Sequence, residues 1–239
     1  MKQKNNLTTY NGFQELLDIE NYLGNYNDYI VNLFLNNFAS IKSDSNIIDF
    51  GSGIGTLSYI LKTKTNLSPI CIEIDCQNKK VLCDRGFKYF TNLKQIKKKA
   101  DFLFSSNVLE HIENDELVLS EIFSILKKGG YLFLYLPAHD HLWTGLDDKV
   151  GHYRRYNKKQ LLKKITNCGF VIEKCHYADS IGYFLALLTK YMLPDPNKSI
   201  QPIILKIYNN IFLPFSKIFD SLGFKHIIGK NIVVLAKKI

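Results

Sequence analysis

Residues 47–56 read IIDFGSGIGT, and no other stretch of the chain limits its fold so tightly. A short apolar run enters a cluster of glycines and leaves into the apolar spacing of a helix. Asp49, Gly51, Gly53 and Gly55 form D-x-G-x-G-x-G where the run ends. Glycine has no Cβ, so it accepts positive φ angles and lets a ligand come close to the backbone. A strand–loop–helix unit of this kind lies at the carboxyl end of the first strand of an open α/β sheet, where such sheets bind ligands. Glu73 ends the next apolar run about 20 residues on, where a carboxylate accepts hydrogen bonds from ribose hydroxyls.

The rest of the chain repeats the alternation. Apolar residues from Leu16 to Phe38 fall at helical spacing and predict one or two helices over 12–38. Strands are expected at 46–50, 69–74, 87–90, 100–105, 131–136, 170–177 and 232–236. Helices are expected at 54–61 and 78–85, the second stopped by Gly86. Asn114 is read as the cap of a helix that runs to Lys127 and is closed by Gly129-Gly130; Asn157 caps another to residue 167. Such alternation makes a largely parallel sheet covered on both faces. Residues 179–230 form an apolar insert that Pro194, Pro196, Pro202 and Pro214 are expected to cut into short helices. The chain thus divides into an N-terminal helical segment (1–45), a core (46–178), a helical cap (179–230) and a last strand (231–239), within one domain.

Two nucleotide-type ligands compete for the glycine loop. A G-x-G-x-x-G loop sets a helix N-terminus against a pyrophosphate, as in nicotinamide enzymes. Here the third glycine comes one residue early, position 56 is Thr, and Asp49 puts negative charge where a pyrophosphate would lie. No G-K-[ST] follows, which excludes a phosphate-binding P-loop. Asp49 suits instead the cationic amino-acid and sulfonium end of S-adenosylmethionine.

The loop resembles motif I of class I S-adenosylmethionine-dependent methyltransferases. Residues 72–75 (IEID), 101–112 (DFLFSSNVLEHI) and 126–134 (LKKGGYLFL) are similar to later segments of the same family, in order. The resemblance implies a Rossmann-like, seven-stranded, mostly parallel α/β methyltransferase sheet, with S-adenosylmethionine as cofactor and S-adenosylhomocysteine as product. It implies that Asp49, Gly51, Ser52, Gly53 and Gly55 line the methionine part, that Glu73 holds the ribose, and that Ile74 and Asp75 (or Cys76) flank the adenine. Ser106 and Asn107 would sit beside the amino-acid or sulfonium end. The family's acid near the end of the third strand is missing here, where residues 89–93 read YFTNL, so Asn92 or a backbone group would meet the adenine.

Residues 139–156 (HDHLWTGLDDKVGHYRRY) are similar to a bacterial methyltransferase subgroup with a G-H-Y-R-R-Y loop and a terminal cap, associated with cell-surface glycan or lipid-linked saccharide pathways. Transfer to an oxygen would need a base, for which histidine is suited. His152, His111 and His139 are the catalytic candidates. Trp143, Tyr153, Arg154 and Arg155 are the candidate substrate contacts, since arginine grips carboxylate or phosphate with two parallel bonds. A competing reading has the arginines pair with Asp147 or Asp148 and fix the loop. N- or C-methyl transfer, a non-catalytic cofactor-binding protein and a nicotinamide enzyme are the rival functions.

Composition adds little. The net charge is +9, but the chain is also rich in Asn, Ile and Lys, so the charge assigns no partner. Lys158, Lys159, Lys163 and Lys164 read as a solvated helix face, and no nucleic-acid motif accompanies them. The five cysteines include no C-x-x-C pair, so no metal site is expected and free thiols in a reducing compartment are. Residues 1–6 are basic with no apolar run after them, and a cytoplasmic location is expected. The expected partner is a small-molecule or lipid-linked acceptor. The apolar cap, with Lys190, Lys198, Lys206 and Lys217, suits peripheral membrane contact.

Overall fold

The structure is a computed structural model and describes residues 12–38, 41–192 and 201–239. Residues 1–6, Pro194, Pro196 and Lys198, to which the sequence assigned roles, lie outside these. The chain opens with helices α1 (Gly12–Tyr22) and α2 (Gly24–Leu35). It continues through β1 (Ile47–Phe50), α3 (Thr56–Thr65), β2 (Ile70–Ile72), α4 (Cys76–Asp84), β3 (Tyr89–Phe90) and β4 (Ala100–Ser106). Next come α5 (Asp115–Ile125), β5 (Leu126–Pro137), α6 (Gly145–Lys149), α7 (Lys158–Asn167) and β6 (Phe170–Ala178). The cap contains α8 (Ser180–Met192), α9 (Pro202–Ile207) and α10 (Leu213–Ser221), and β7 (Asn231–Lys238) follows it.

The seven strands form one sheet in the order β3-β2-β1-β4-β5-β7-β6. All pair in parallel except β7, which runs antiparallel to both β5 and β6. The fold is therefore the Rossmann-like methyltransferase sheet. Chain order reverses between β1 and β4, and the crevice at such a switch point is where open α/β sheets hold ligands.

Alternation along the strands sorts two cores. Ile48, Leu103, Leu132, Leu134, Ile232 and Val234 face α5 and α7 through Leu119, Ile122, Leu161 and Ile165. Their neighbours Ile47, Phe102, Phe104, Phe133, Tyr135 and Val233 face α2 through Ile30, Val31 and Phe34. Phe34 packs against Phe102, Phe104 and Phe133 with ring centroids 5.1–6.4 Å apart.

Local chemistry sets the helix boundaries. Asp75, Asn114 and Asn157 each accept backbone N–H bonds at the starts of α4, α5 and α7. Helix α5 stops at Ile125 rather than Lys127, because residues 126 onward already pair with β4: Leu126 lies opposite Ala100. Lys127 joins Asp101 at 2.6 Å. Gly130 is needed there, since a Cβ would lie 2.9 Å from the Lys127 carbonyl oxygen. Lys164, read as solvated, instead pairs with the buried Asp115 at 2.7 Å.

The cap is bolted down by two buried carboxylates. Asp220 accepts bonds from the Asp179 amide (2.9 Å), the Tyr29 hydroxyl (3.0 Å) and the Ser180 hydroxyl. Asp179 accepts from the Gly182 amide (2.9 Å) and from Ser216 (2.8 Å) and Tyr208. The described part of the cap consists of short helices, with Pro202 opening α9. Pro214 lies in the first turn of α10, where the missing N–H costs little, but it marks no break, since a π-helical turn (Tyr208–Phe212) joins α9 to α10.

Candidate active site

The glycine loop turns sharply beneath the carboxyl end of β1. Gly51, Gly53 and Gly55 have φ angles of +77°, +55° and +83°. The amides of Gly51 and Ser52 both donate to the Ile72 carbonyl, at 2.9 and 3.0 Å, which ties the loop to β2. A Cβ on Gly51 would lie 2.3 Å from Val108 Cγ2, so the residues after β4 press directly on the loop. From the other side Leu16 of α1 comes within 3.1 Å of where a Gly53 Cβ would be. Helix α1 is held there by Glu20, which makes two bonds to Arg85 (2.6 and 2.8 Å) and one with Thr56.

The acids differ in their surroundings. Asp49 is buried and accepts a 2.7 Å bond from Ser58. Burial pushes its carboxyl up to about 7; the Ser58 bond offsets this in part, and Glu73 adds to it. Ser52 Oγ is buried facing the Cys71 thiol and makes no hydrogen bond of ordinary geometry. Glu73 Oε1 accepts the amides of Ile74 and Asp75 at 2.7 and 2.8 Å, which fixes the carboxylate at the end of β2. Ile74 itself is 77% exposed. Asp75 uses Oδ1 on the Gln77 and Asn78 amides. Beyond β4, Asn107 takes φ +52°, sends its amide N–H to the Tyr135 carbonyl at 2.8 Å and donates from Nδ2 to Ser106. A non-glycine residue in this region is strained and marks a place held by its surroundings.

The three candidate histidines do not share one place. His111 and His152 meet edge to face with centroids 4.5 Å apart. His139 lies apart, stacked on Tyr177 at 4.9 Å and next to His141, which bonds Tyr183 of the cap at 2.9 Å. Burial, then the neighbouring His141, lowers the His139 pKa. Desolvation and the adjoining His152 lower that of His111, although the residue is exposed.

Arg154 and Arg155 are both engaged within the chain. Arg155 makes a two-pronged pair with Asp147 (2.9 and 3.0 Å). Arg154 donates to the Ile112 and Glu113 carbonyls at 2.7 and 2.6 Å and pairs with Asp115 at 3.1 Å. Trp143 donates to Asp148 at 3.3 Å, and its ring and that of His152 stand edge to face with centroids 6.4 Å apart. Tyr153 is 54% exposed, and its amide donates to the Glu110 carbonyl at 2.7 Å.

A methyltransferase domain family matches residues 22–174, more than half of the chain. The chain belongs to this methyltransferase family. No curated protein sequence matches it. Among solved structures the methyltransferase is similar to phosphoethanolamine N-methyltransferase 2 of Haemonchus contortus, with S-adenosyl-L-methionine bound, at TM-score 0.65 and 18% identity. That match covers 97% of this chain and 58% of the other, so the methyltransferase spans little more than half of that relative's length. A SAM-dependent methyltransferase of Archaeoglobus fulgidus matches over 94% of this chain and 99% of its own, at 16% identity and TM-score 0.60. The [4+2]-cyclase SpnF also matches, over 88% and 81% of the two chains, at 16% identity and TM-score 0.57. A cyclase among the neighbours shows that the fold alone does not name the reaction.

Two residues of the methyltransferase escaped the sequence reading as site residues. Asp147 is a hub: it takes the Thr144 amide (2.8 Å), the His152 ring through Nδ1 (2.8 Å) and both prongs of Arg155. Burial alone would raise its pKa; the His152 bond and the Arg155 charge overcome that and hold it down to about 2. Glu110 is fully buried beside His111 and His152, and neither side-chain oxygen has a hydrogen-bond partner. Burial pushes its carboxyl up to about 8, and the Glu110 amide and Arg155 offset this only in part. The V-L-E-H signature contained Glu110, but no periodicity tells a buried carboxyl from an exposed one at a loop's start.

Proposed function

We propose that this methyltransferase moves a methyl group to a hydroxyl oxygen of a small or lipid-linked acceptor such as a sugar. The donor is S-adenosylmethionine. Gly51, Ser52, Gly53 and Gly55 cradle its methionine part, Asp49 lies beneath the cationic end, and Glu73 Oε2 faces the ribose. Ile74 and Asp75 flank the adenine, and Ser106 and Asn107 border the sulfonium side. The sulfonium is already an activated leaving group, so the protein's main task is to align oxygen and methyl.

The observation that carries the choice of oxygen is the Asp147–His152 pair. The 2.8 Å bond occupies Nδ1 and directs Nε2 toward Glu110 and His111. A carboxylate behind an imidazole fixes its tautomer and prepares the far nitrogen to take a proton. Tyr153 and Trp143, next to this nitrogen's side of the loop, contact the acceptor, and Arg154 and Arg155 hold the loop in shape around it. The resemblance of residues 139–156 to the G-H-Y-R-R-Y subgroup supports a glycan or lipid-linked saccharide acceptor.

The cap supports the lipid-linked form. Phe184, Leu188, Ile203, Phe215, Ile218 and Leu222 are all more than half exposed, with Lys190, Lys206 and Lys217 among them. Helix α8 also touches the 139–156 segment: Lys190 donates to the His141 carbonyl. Among the described residues no helix is long and apolar enough to cross a membrane, so contact would be peripheral.

Labelled S-adenosylmethionine offered with a panel of free sugars, lipid-linked saccharides and matched amines tests the reading. Label should enter a hydroxyl acceptor, and His152→Ala should lose turnover while still binding S-adenosylhomocysteine. Label that enters only amines overturns it.

A further inference from the structure

Glu110, His111 and His152 come together from two separate parts of the chain: a one-turn helix after β4 (Leu109–His111) and the loop after α6. One ligand-type atom of each lies within 4.8 Å of the other two, and His152 Nε2 is 4.0 Å from Glu110 Oε1. The geometry points to a binding site for one divalent first-row metal ion, of the zinc, manganese or cobalt kind, held by these three side chains.

Four observations carry this. Glu110 is fully buried, and both its oxygens lack a partner. A buried carboxyl without a partner is costly, and a cation is the partner that satisfies it most completely. His152 is already arranged as metal-bound histidines are: its other nitrogen is fixed by a carboxylate, and that carboxylate by Arg155 and Thr144. His111 meets the His152 ring edge to face with centroids 4.5 Å apart and is itself exposed, so its imidazole stands beside the other two donors with room to turn toward them. The donor set of two imidazoles and one carboxylate suits borderline cations better than magnesium or calcium, which prefer all-oxygen sites.

The ligand atoms stand somewhat wider than a bound ion requires. Donors about 2.1 Å from a tetrahedral ion are about 3.4 Å apart. Small rotations of the exposed His111, and of His152 about its bond to Asp147, would close the gap. With three protein donors and one edge open to solvent, the arrangement is that of a catalytic rather than a structural site.

This inference rests on the proposed transfer to oxygen and changes one assignment within it. His152 Nε2 becomes a ligand instead of the proton acceptor. An acceptor hydroxyl bound to the ion loses its proton to water, the oxygen forms a bond to the methyl carbon, and the carbon–sulfur bond breaks with its electron pair left on sulfur. The products are the methyl ether, neutral S-adenosylhomocysteine and a proton in solvent. The ion changes no oxidation state.

The test uses the whole chain, stripped with a chelator and titrated with Co2+. Visible absorption reports coordination, and Zn2+ competition reports occupancy. S-adenosylhomocysteine affinity, measured in parallel, shows that each variant is folded. Wild type should bind one Co2+ that Zn2+ displaces. Glu110→Gln, His111→Ala and His152→Ala should each weaken it by at least about 100-fold, and Asp147→Asn by about 10-fold or more. His226→Ala, in a different part of the fold, should leave it unchanged. Absence of Co2+ and Zn2+ binding by a wild-type chain that binds S-adenosylhomocysteine overturns the site, as does binding that survives both Glu110→Gln and His152→Ala. In either case turnover on a hydroxyl acceptor that persists leaves the oxygen reading standing without the metal. Binding as expected, with label passing only to amines, keeps the site and removes the oxygen reading.

Discussion

Two loops meet at the carboxyl edge of the sheet, and they are braced in different ways. Residues 51–55 are shaped by backbone: three positive φ angles, two amides on the Ile72 carbonyl, and glycines packed where a Cβ would collide. Residues 139–156 are shaped by side chains: Asp147 gathers Thr144, His152 and Arg155, and Arg154 reaches back to residues 112–115. The first loop leaves its polar surface open for the cofactor proposed to bind there. The second puts its charges into holding one particular shape, which suits the acceptor surface proposed for it. The difference predicts that the second loop fails by collapsing and the first by excluding its ligand.

Asp147→Ala should produce the largest effect. It leaves Arg155 and the His152 ring without their partner in a nearly dry position. Removal of one member of a buried ion pair typically costs about 3–5 kcal/mol. Denaturant unfolding should show that loss, and methyl transfer should disappear while S-adenosylhomocysteine still binds to folded protein. A stable Asp147→Ala variant with normal turnover would erase the contrast between the loops.

Gly51→Ala tests the first loop. The added methyl meets Val108 at 2.3 Å, and φ +77° is unfavourable for alanine. Cofactor affinity should fall about 100-fold, about 2.8 kcal/mol, by calorimetric titration. No buried ion pair is broken by this change, so the unfolding midpoint should move much less than in Asp147→Ala. Glu73→Gln comes next. The amide oxygen still accepts the Ile74 and Asp75 N–H bonds, but the charge on which the proposed ribose contact depends is gone. Affinity for S-adenosylhomocysteine should fall about 10–30-fold with unchanged stability, since bonds to a charged group contribute about 1.5–3 kcal/mol.

The same contrast explains what was legible in the sequence. Glycines at fixed offsets after an apolar run encode the first loop locally, so D-x-G-x-G-x-G and the alternation of strands and helices carried the fold and its sharp turn after β1. The caps Asn114 and Asn157 were legible because capping is a relation between residues three apart. The second loop depends on partners about 40 residues away in sequence, such as Glu110 beside His152, and no local pattern records that meeting. The arginine pair shows the limit well. G-H-Y-R-R-Y left two readings open, a grip on an anion or a pair with Asp147 or Asp148; Arg155 follows the second with its near neighbour Asp147, whereas the partner of Arg154, Asp115, is brought in from far along the chain by the fold. The Gly129-Gly130 pair misled in a smaller way: it was read as closing a helix, but the strand had begun at Leu126 because β4 was there to pair with.

The smallest effect concerns pH and singles out Asp49. In the folded chain burial lifts its carboxyl from the ordinary 3.8 to about 7, against Ser58 and beside Glu73 and Cys71. A carboxyl whose folded pKa is raised binds its proton more tightly in the folded state. Its stabilising contribution is therefore complete below the unfolded value and is lost as pH rises from about 4 to about 7. Binding runs the other way. A cationic ligand above Asp49 favours the carboxylate, so affinity for S-adenosylmethionine should rise roughly five-fold between about pH 6 and pH 8. Asp49→Asn keeps an oxygen for Ser58 but cannot ionise. Its unfolding midpoint should fall less steeply than wild type between about pH 4 and pH 7, and its cofactor affinity should be flat across neutrality. Glu110 titrates in the same region in the free protein, so the quantity to compare is the difference between the two chains rather than either slope. Equal affinity slopes in both would place the sulfonium end away from Asp49, and would leave the first loop a backbone cradle with no electrostatic part in holding the donor.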